Sequence, residues 1–178
     1  NVLLEQGKLD EAIASFNNAV AINPDFADGH NNLGTALQAQ GKMEDARACY
    51  RRSIEINPDH IEGHNNLGNV SKELGALEDA VACYRKAIDI NPDYFEGYSN
   101  LGNVLRDLGR FDEAITNCRQ ALSLQPDFAE AHNNLGISLH KLDQLDEAFK
   151  SYEQALAIKP DFAEAHNKLV HIHPVYQI

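Results

Sequence analysis

Eight histidines, three cysteines and 27 acidic residues give this 178-residue chain the raw material for metal binding or acid–base chemistry. Their spacing argues against both. His30, His64, His132 and His166 fall in one column of a 34-residue step, with Tyr98 standing in the same column. Helix axes pack about 8–10 Å apart, so equivalent side chains on successive helical units do not converge on one ion. The column reads instead as partly buried rings on the apolar side of a helix, each with one nitrogen satisfied. His171 and His173 form a His-x-His pair before Pro174, without the carboxylate or thiolate support that a metal site needs. Cys49 and Cys83 are one step apart and Cys118 is one residue off that register, too distant for the Cα separation of about 4.4–6.8 Å that a disulfide requires. There is no Gly-rich phosphate loop, no Gly-x-Ser-x-Gly and no His-Glu-x-x-His. The acidic pairs Asp10/Glu11, Glu44/Asp45, Glu78/Asp79, Asp112/Glu113 and Asp146/Glu147 sit where helices begin, and the helix dipole accounts for them. The expectation is a non-enzymatic chain with no cofactor and no metal.

The elements that carry these residues follow from the same step. Pro24, Pro58, Pro92, Pro126 and Pro160 are separated by 34 residues each time, and Gly34, Gly68, Gly102 and Gly136 keep the step, as do Gly7, Gly41, Gly75 and Gly109. So do Ala12, Ala46, Ala80, Ala114 and Ala148, and Leu33, Leu67, Leu101, Leu135 and Leu169. Within residues 27–60, His30, Leu33 and Leu37 share one helical face, and Ala46, Tyr50, Ser53 and Ile54 share another after Gly41. Two amphipathic helices therefore make one unit. Gly41 suits the left-handed turn between them, and Asn57-Pro58 stops the second helix. Asp25 and Asp28, with their counterparts Asp59/Glu62, Asp93/Glu96, Asp127/Glu130 and Asp161/Glu164, predict a capping box at the start of each unit, with the first acid as N-cap. The small residues of the Gly34 and Ala46 columns allow the two helices to approach, with Leu33, Tyr50 and Ile54 filling the space beside them.

Composition narrows the function classes. A net charge of −12 with no run of Lys and Arg works against binding a phosphate backbone, so nucleic acid is excluded as a partner. No segment approaches eighteen uninterrupted apolar residues and no secretory signal opens the chain, so no membrane association is expected. With three unbridged thiols, these features predict a reducing, cytoplasmic setting. Residue 1 falls partway through a helix, and Val170, Ile172 and Val175 follow Leu169 with no second helix to cover them. The segment reads as part of a longer chain, and its uncapped faces predict end-to-end or swapped homo-oligomers.

The run His30-Asn31-Asn32-Leu33-Gly34, followed by Gly41, Ala46, Tyr50 and Pro58, resembles the tetratricopeptide repeat. Full units are read at 27–60, 61–94, 95–128 and 129–162, with a partial unit at 1–26 and the first helix of another, plus a tail, at 163–178. The resemblance implies an all-α, right-handed superhelical solenoid of antiparallel helix pairs whose first helices line a concave groove. Departures fall at Ser71 for a packing Leu, Cys118 for the aromatic, Asp143 for the turn glycine and Val170 for Gly.

Asp28, Asn32, Thr35 and Ala39 share a stripe almost opposite His30, Leu33 and Leu37. Under the resemblance these stripes form the groove, and Asn32, Asn66, Asn100 and Asn134 make a rail of amides along it, interrupted by Lys168. The neighbouring Asn31, Asn65 and Asn133, with Thr35, Asn69 and Asn103, complete the candidate peptide-binding set. An Asn side chain offers an acceptor and a donor, which match the C=O and N–H of an extended peptide. The groove is similar to that of the O-linked N-acetylglucosamine transferases, so alternatives to a scaffold binding a peptide or partner helix are a substrate-selecting arm of a larger enzyme such as a glycosyltransferase, or a self-assembly module. Modules that clamp the acidic tails of chaperones carry Lys or Arg where this chain has Asn31 and Glu96 or Glu130, which argues against that role. Lys72, Arg106 and Lys141, near the far ends of the first helices, give the groove a basic margin opposite an acidic one.

Overall fold

The computed structural model describes residues 8–172, and these contain ten α-helices and no strand. They are α1 (Leu9–Ile22), α2 (Ala27–Ala39), α3 (Met43–Ile56), α4 (Ile61–Glu73), α5 (Leu77–Ile90), α6 (Phe95–Asp107), α7 (Phe111–Leu124), α8 (Ala129–Lys141), α9 (Leu145–Ile158) and α10 (Ala163–Ile172). The chain is an all-α solenoid in which, within each compact unit, helices consecutive in sequence are packed neighbours. It divides into two compact units, residues 1–91 and 92–178. In the first, α2 packs on α1 and α3, and α4 on α2, α3 and α5; in the second, α8 packs on α6, α7, α9 and α10.

The glycine and alanine columns explain the close helix approach. A Cβ built on Gly34 would lie 2.7 Å from the ring of Tyr50, and one on Gly68 would lie 2.6 Å from the ring of Tyr84. Gly136 stands in the same relation to Tyr152 at 2.8 Å, and Gly102 to the Cys118 sulfur at 2.7 Å. At Gly34, Gly68 and Gly136 the first helix thus presents a bare backbone patch against which the tyrosine ring of the following helix packs, and at Gly102 the smaller Cys118 takes that place. Ala46, Ala80, Ala114 and Ala148 are fully buried beside these rings. In the first unit Ala46 and Tyr50 form a core with Leu67 and Val70, flanked by Leu37, Met43, Ile54, Leu74 and Cys83. In the second, Ile115 and Cys118 meet Leu135, Ile137, Leu139, Tyr152 and Ala165.

The turn after the first helix of each pair needs a left-handed residue. Gly41, Gly75 and Gly109 occupy it at φ 81°, 79° and 75°, while the amide after Gly41 closes the helix by donating to the Leu37 carbonyl at 2.9 Å. Asp143 holds the same conformation at φ 59° without glycine's freedom. Asp143→Gly is expected to raise stability by about 0.5–1 kcal/mol, because the relief of left-handed strain exceeds the added freedom of the unfolded chain. The check is a higher midpoint in urea unfolding at unchanged slope.

The first acid of the expected capping box is not the cap. Phe26 holds the N-cap position of α2 without a side-chain bond, and His60 holds it for α4. The turn between pairs is closed by Asn, whose Asn23 and Asn57 carboxamide oxygens accept from the Asp25 and Asp59 amides at 3.3 and 3.2 Å. The acids are released for contacts between pairs: Asp25 pairs with Arg52 at 3.1 Å, and Asp28 accepts from His60 at 2.8 Å. The histidine column binds the same turns. Nε2 of His30, His64, His132 and His166 donates to the carbonyl of Pro24, Pro58, Pro126 and Pro160 at 3.0, 2.8, 2.9 and 2.8 Å. A carbonyl only accepts, so each ring carries its proton on Nε2 and ties the first turn of its helix to the loop that precedes it.

Candidate functional site

The candidate residues lie on the first helix of each pair, and the structure separates them by what they touch. Asn32 is half-buried, and its side chain makes no hydrogen bond among the described residues. Asn66 donates from Nδ2 to the Asn31 carboxamide at 3.0 Å, linking α4 to α2, and leaves its own side-chain carbonyl uncommitted. Asn31 is buried, and its backbone carbonyl accepts from the exposed Thr35 hydroxyl at 3.1 Å. Asn65 and Asn100 are half-buried and have interaction partners of their own. Asn134 is 7% exposed, and its carbonyl accepts from the Arg106 guanidinium at 3.1 Å. Asn133 is 1% exposed and donates to Glu164 at 2.9 Å, joining α8 to α10.

The Thr35, Asn69 and Asn103 column has a second role that spacing did not reveal. It faces the hydroxyl end of the buried tyrosines. Tyr50 donates to the Gln38 carbonyl at 2.8 Å with Thr35 at 3.4 Å, and Tyr84 donates to the Asn69 carbonyl at 2.7 Å. Where Cys118 replaces the tyrosine, Arg106 supplies the missing donor, reaching Asn103 at 2.8 Å as well as Asn134. Ser99 stands in the Asn31 column and is too short to bridge to the next helix, so the guanidinium takes that task too. In the fourth pair Ile137 stands in the polar column, and the Tyr152 hydroxyl is buried without a partner among the described residues. Burial, with Glu164 nearby, pushes that phenol well above its ordinary range against the opposing pull of Arg106.

His60 was not recognised in the sequence as a site of any kind. Its ring is 7% exposed, Nδ1 accepts from the Gly63 amide at 2.8 Å and Nε2 donates to Asp28. One neutral ring therefore caps α4 and binds it to α2, a pairing hidden in sequence because its two partners lie 3 and 32 residues away. The thiols are chemically quiet. Burial and Asp79 push Cys83 up to about 11, burial pushes Cys118 up to about 12, and burial with Asp45 raises Cys49, so little thiolate forms near neutrality. Among the described residues no group of three or more His, Cys, Asp or Glu is placed to hold a metal ion. His173 lies outside those residues. Likewise, no described helix is long and apolar enough to cross a membrane.

Comparison with known proteins adds the following. A family model described as TPR repeat matches residues 1–41, 68–105 and 102–143. Two described as tetratricopeptide repeat match 27–60 and 129–162, and 49–82. No curated protein matches the sequence. Among solved structures, MamA is similar with a TM-score of 0.81 at 23% identity, over 91% of this chain and 95% of that one. YrrB, described as a TPR protein with an unusual peptide-binding site, is similar with a TM-score of 0.78 at 20% identity, over 94% and 87% of the two chains. A MamA RS-1 ArsTM double mutant aligns with a TM-score of 0.80 at 17% identity, over 90% of each chain. At such identities the likeness speaks to the fold.

Proposed function

The chain belongs to the tetratricopeptide repeat family, and on that premise we propose that it is a protein-interaction scaffold that lays an extended peptide along the polar face of its first helices. The observation that carries this reading is the state of the Asn column. Within residues 1–91, Asn32 retains both its donor and its acceptor and Asn66 retains its acceptor; within residues 92–178, Asn134 retains its donor. A peptide backbone is the ligand that uses alternating donors and acceptors without demanding particular side chains. The lateral bonds of Asn66 and Asn134 hold those amides in fixed orientations, which lowers the entropy lost on binding. YrrB offers a precedent in the same fold for a peptide-binding site.

Peptides selected from a random displayed library against the whole chain provide the test. Each of Asn32→Ala, Asn66→Ala, Asn100→Ala and Asn134→Ala is expected to weaken a selected peptide by about 0.5–1.5 kcal/mol, read by calorimetry. Asn32→Ala is the cleanest of the four, since no internal bond of a described residue is lost with it. Equal affinity in a variant lacking all four amides, with helical content retained, would remove the column from the account.

A further inference from the structure

The N-cap position before successive first helices holds Phe26, His60, Tyr94 and Phe128, and of these only His60 can take up a proton near neutral pH. Its side chain is 6% exposed and both ring nitrogens are committed. The Gly63 N–H can only donate, so Nδ1 is bare and Nε2 carries the proton shared with Asp28. A second proton can enter at Nδ1 alone, where it sets one N–H against another at 2.8 Å. Two side chains answer that conflict. Glu62 Oε2 is 3.8 Å from Nδ1, on a 73% exposed side chain with no other ion pair among the described residues. The Ser53 hydroxyl is buried without a partner among those residues, and it and Nδ1 lie 3.2 and 3.1 Å from the point that a Cβ on Gly63 would occupy. The other charges around the ring are already placed. Arg52 of α3 is shared between Asp25 and Glu55, His64 of α4 binds the Pro58 carbonyl, and Asp59 precedes the ring in the turn.

We propose that His60 is a proton-driven switch at the joint of α2 and α4: on protonation Nδ1 exchanges the Gly63 amide for the Glu62 carboxylate, the freed amide turns to the Ser53 hydroxyl, and Nε2 keeps its bond to Asp28. The charged ring is then clamped between carboxylates on two successive first helices, which offsets the cost of burying a charge. Glu62 has to close only about 1 Å to reach the distance of a charge-assisted hydrogen bond. The exchange also accounts for Ser53, a hydroxyl that is orphaned only while the ring is neutral. Asp28 and Glu62 lie in the stripes of Asn32 and Asn66, so the same proton lowers the negative charge at that end of the polar face by one. The consequence for a cationic peptide rests on the scaffold reading above; the exchange itself does not.

The experiment follows the whole chain by NMR from about pH 8 to about pH 5, the range in which an imidazole gains its charge, reading the His60 ring nitrogens and the Gly63 amide. Nδ1 is expected to pass from its unprotonated to its protonated resonance, and the Gly63 amide to move in the same transition. That movement should persist in His64→Gln and vanish in His60→Phe, with helical content retained in both. Asp28→Asn should bring the transition down by about one pH unit, and Glu62→Gln and Ser53→Ala by about half a unit each, because each removes a group that favours the charged ring. Ser53→Ala separates the switch from packing, since near pH 8 it should not lower the melting temperature. Peptides carrying Lys or Arg, taken from the displayed library, should lose about threefold more affinity on acidification with the wild-type chain than with His60→Phe. An Nδ1 that stays unprotonated throughout, or a transition that either Glu62→Gln or Ser53→Ala leaves in place, would overturn the proposal. An intact transition beside equal losses of peptide affinity would strike only its effect on the polar face.

Discussion

Tyr84→Ala is expected to lower stability by about 3–5 kcal/mol, the range for truncating a large buried aromatic side chain. The Tyr84 ring is 1% exposed, lies on the bare backbone of Gly68 and donates its hydroxyl to Asn69. Truncation leaves a cavity between α4 and α5, on the face of an α4 already held by α2 and α3, and strands the Asn69 acceptor in a half-buried site. The hydroxyl is the smaller part: Tyr84→Phe should cost only about 0.5–1.5 kcal/mol. Cys118 shows what a tolerated small residue in this column requires. There Ile115 and Leu135 close around the sulfur and Arg106 satisfies Asn103, a combination absent around Tyr84. Urea unfolding of the two variants measures both numbers. A Tyr84→Ala cost below about 1 kcal/mol would mean that the aromatic column is not what joins the helices of a pair.

How much of this was legible in the sequence depends on the distance between the cause and its signal. The helix pairs were legible because the proline, glycine and alanine columns report on backbone conformation at their own positions. Gly41 and Pro58 act where they stand. The capping box failed over a distance of two residues, since Asp25 and Asn23 are both competent acceptors and only the turn geometry decides that Asn23 closes it. Roles that depend on a neighbouring helix were out of reach. Asn66 meets Asn31, and Arg106 meets Asn134, across separations of 35 and 28 residues, which helical periodicity within one segment cannot pair. Ile137 was visible as an apolar residue in a polar stripe. Its consequence for Tyr152 was not, because nothing in one dimension says that the two columns face each other. His60 belongs to the same class, its role being set by Asp28 on another helix.

The glycine under the ring supplies the sharper test, because two known effects oppose each other there. Alanine in mid-helix is favoured over glycine by about 1 kcal/mol, so Gly68→Ala should stabilise α4 if nothing else intervened. A Cβ at Gly68 would sit 2.6 Å from Tyr84 Cε1 and 2.9 Å from two further ring atoms, and a ring buried on all sides and anchored through its hydroxyl has no free end to swing away. Overpacking of this kind costs about 1–3 kcal/mol, and with three ring atoms under 3.0 Å the strain should exceed the propensity gain. Gly68→Ala is therefore expected to destabilise. In a Tyr84→Ala background the ring is gone and the same substitution should become stabilising, by up to about 1 kcal/mol. The change of sign, a coupling of up to about 3 kcal/mol in a double-mutant cycle, isolates the contact between the two columns from every other effect of either mutation. Gly75→Ala separates backbone from packing: nothing lies within 4 Å of its added Cβ, so its cost comes from φ +79° alone and should be the same whether or not Tyr84 is present. If Gly68→Ala destabilised equally with and without the ring, the small column would be serving backbone conformation, and close helix approach would need another cause.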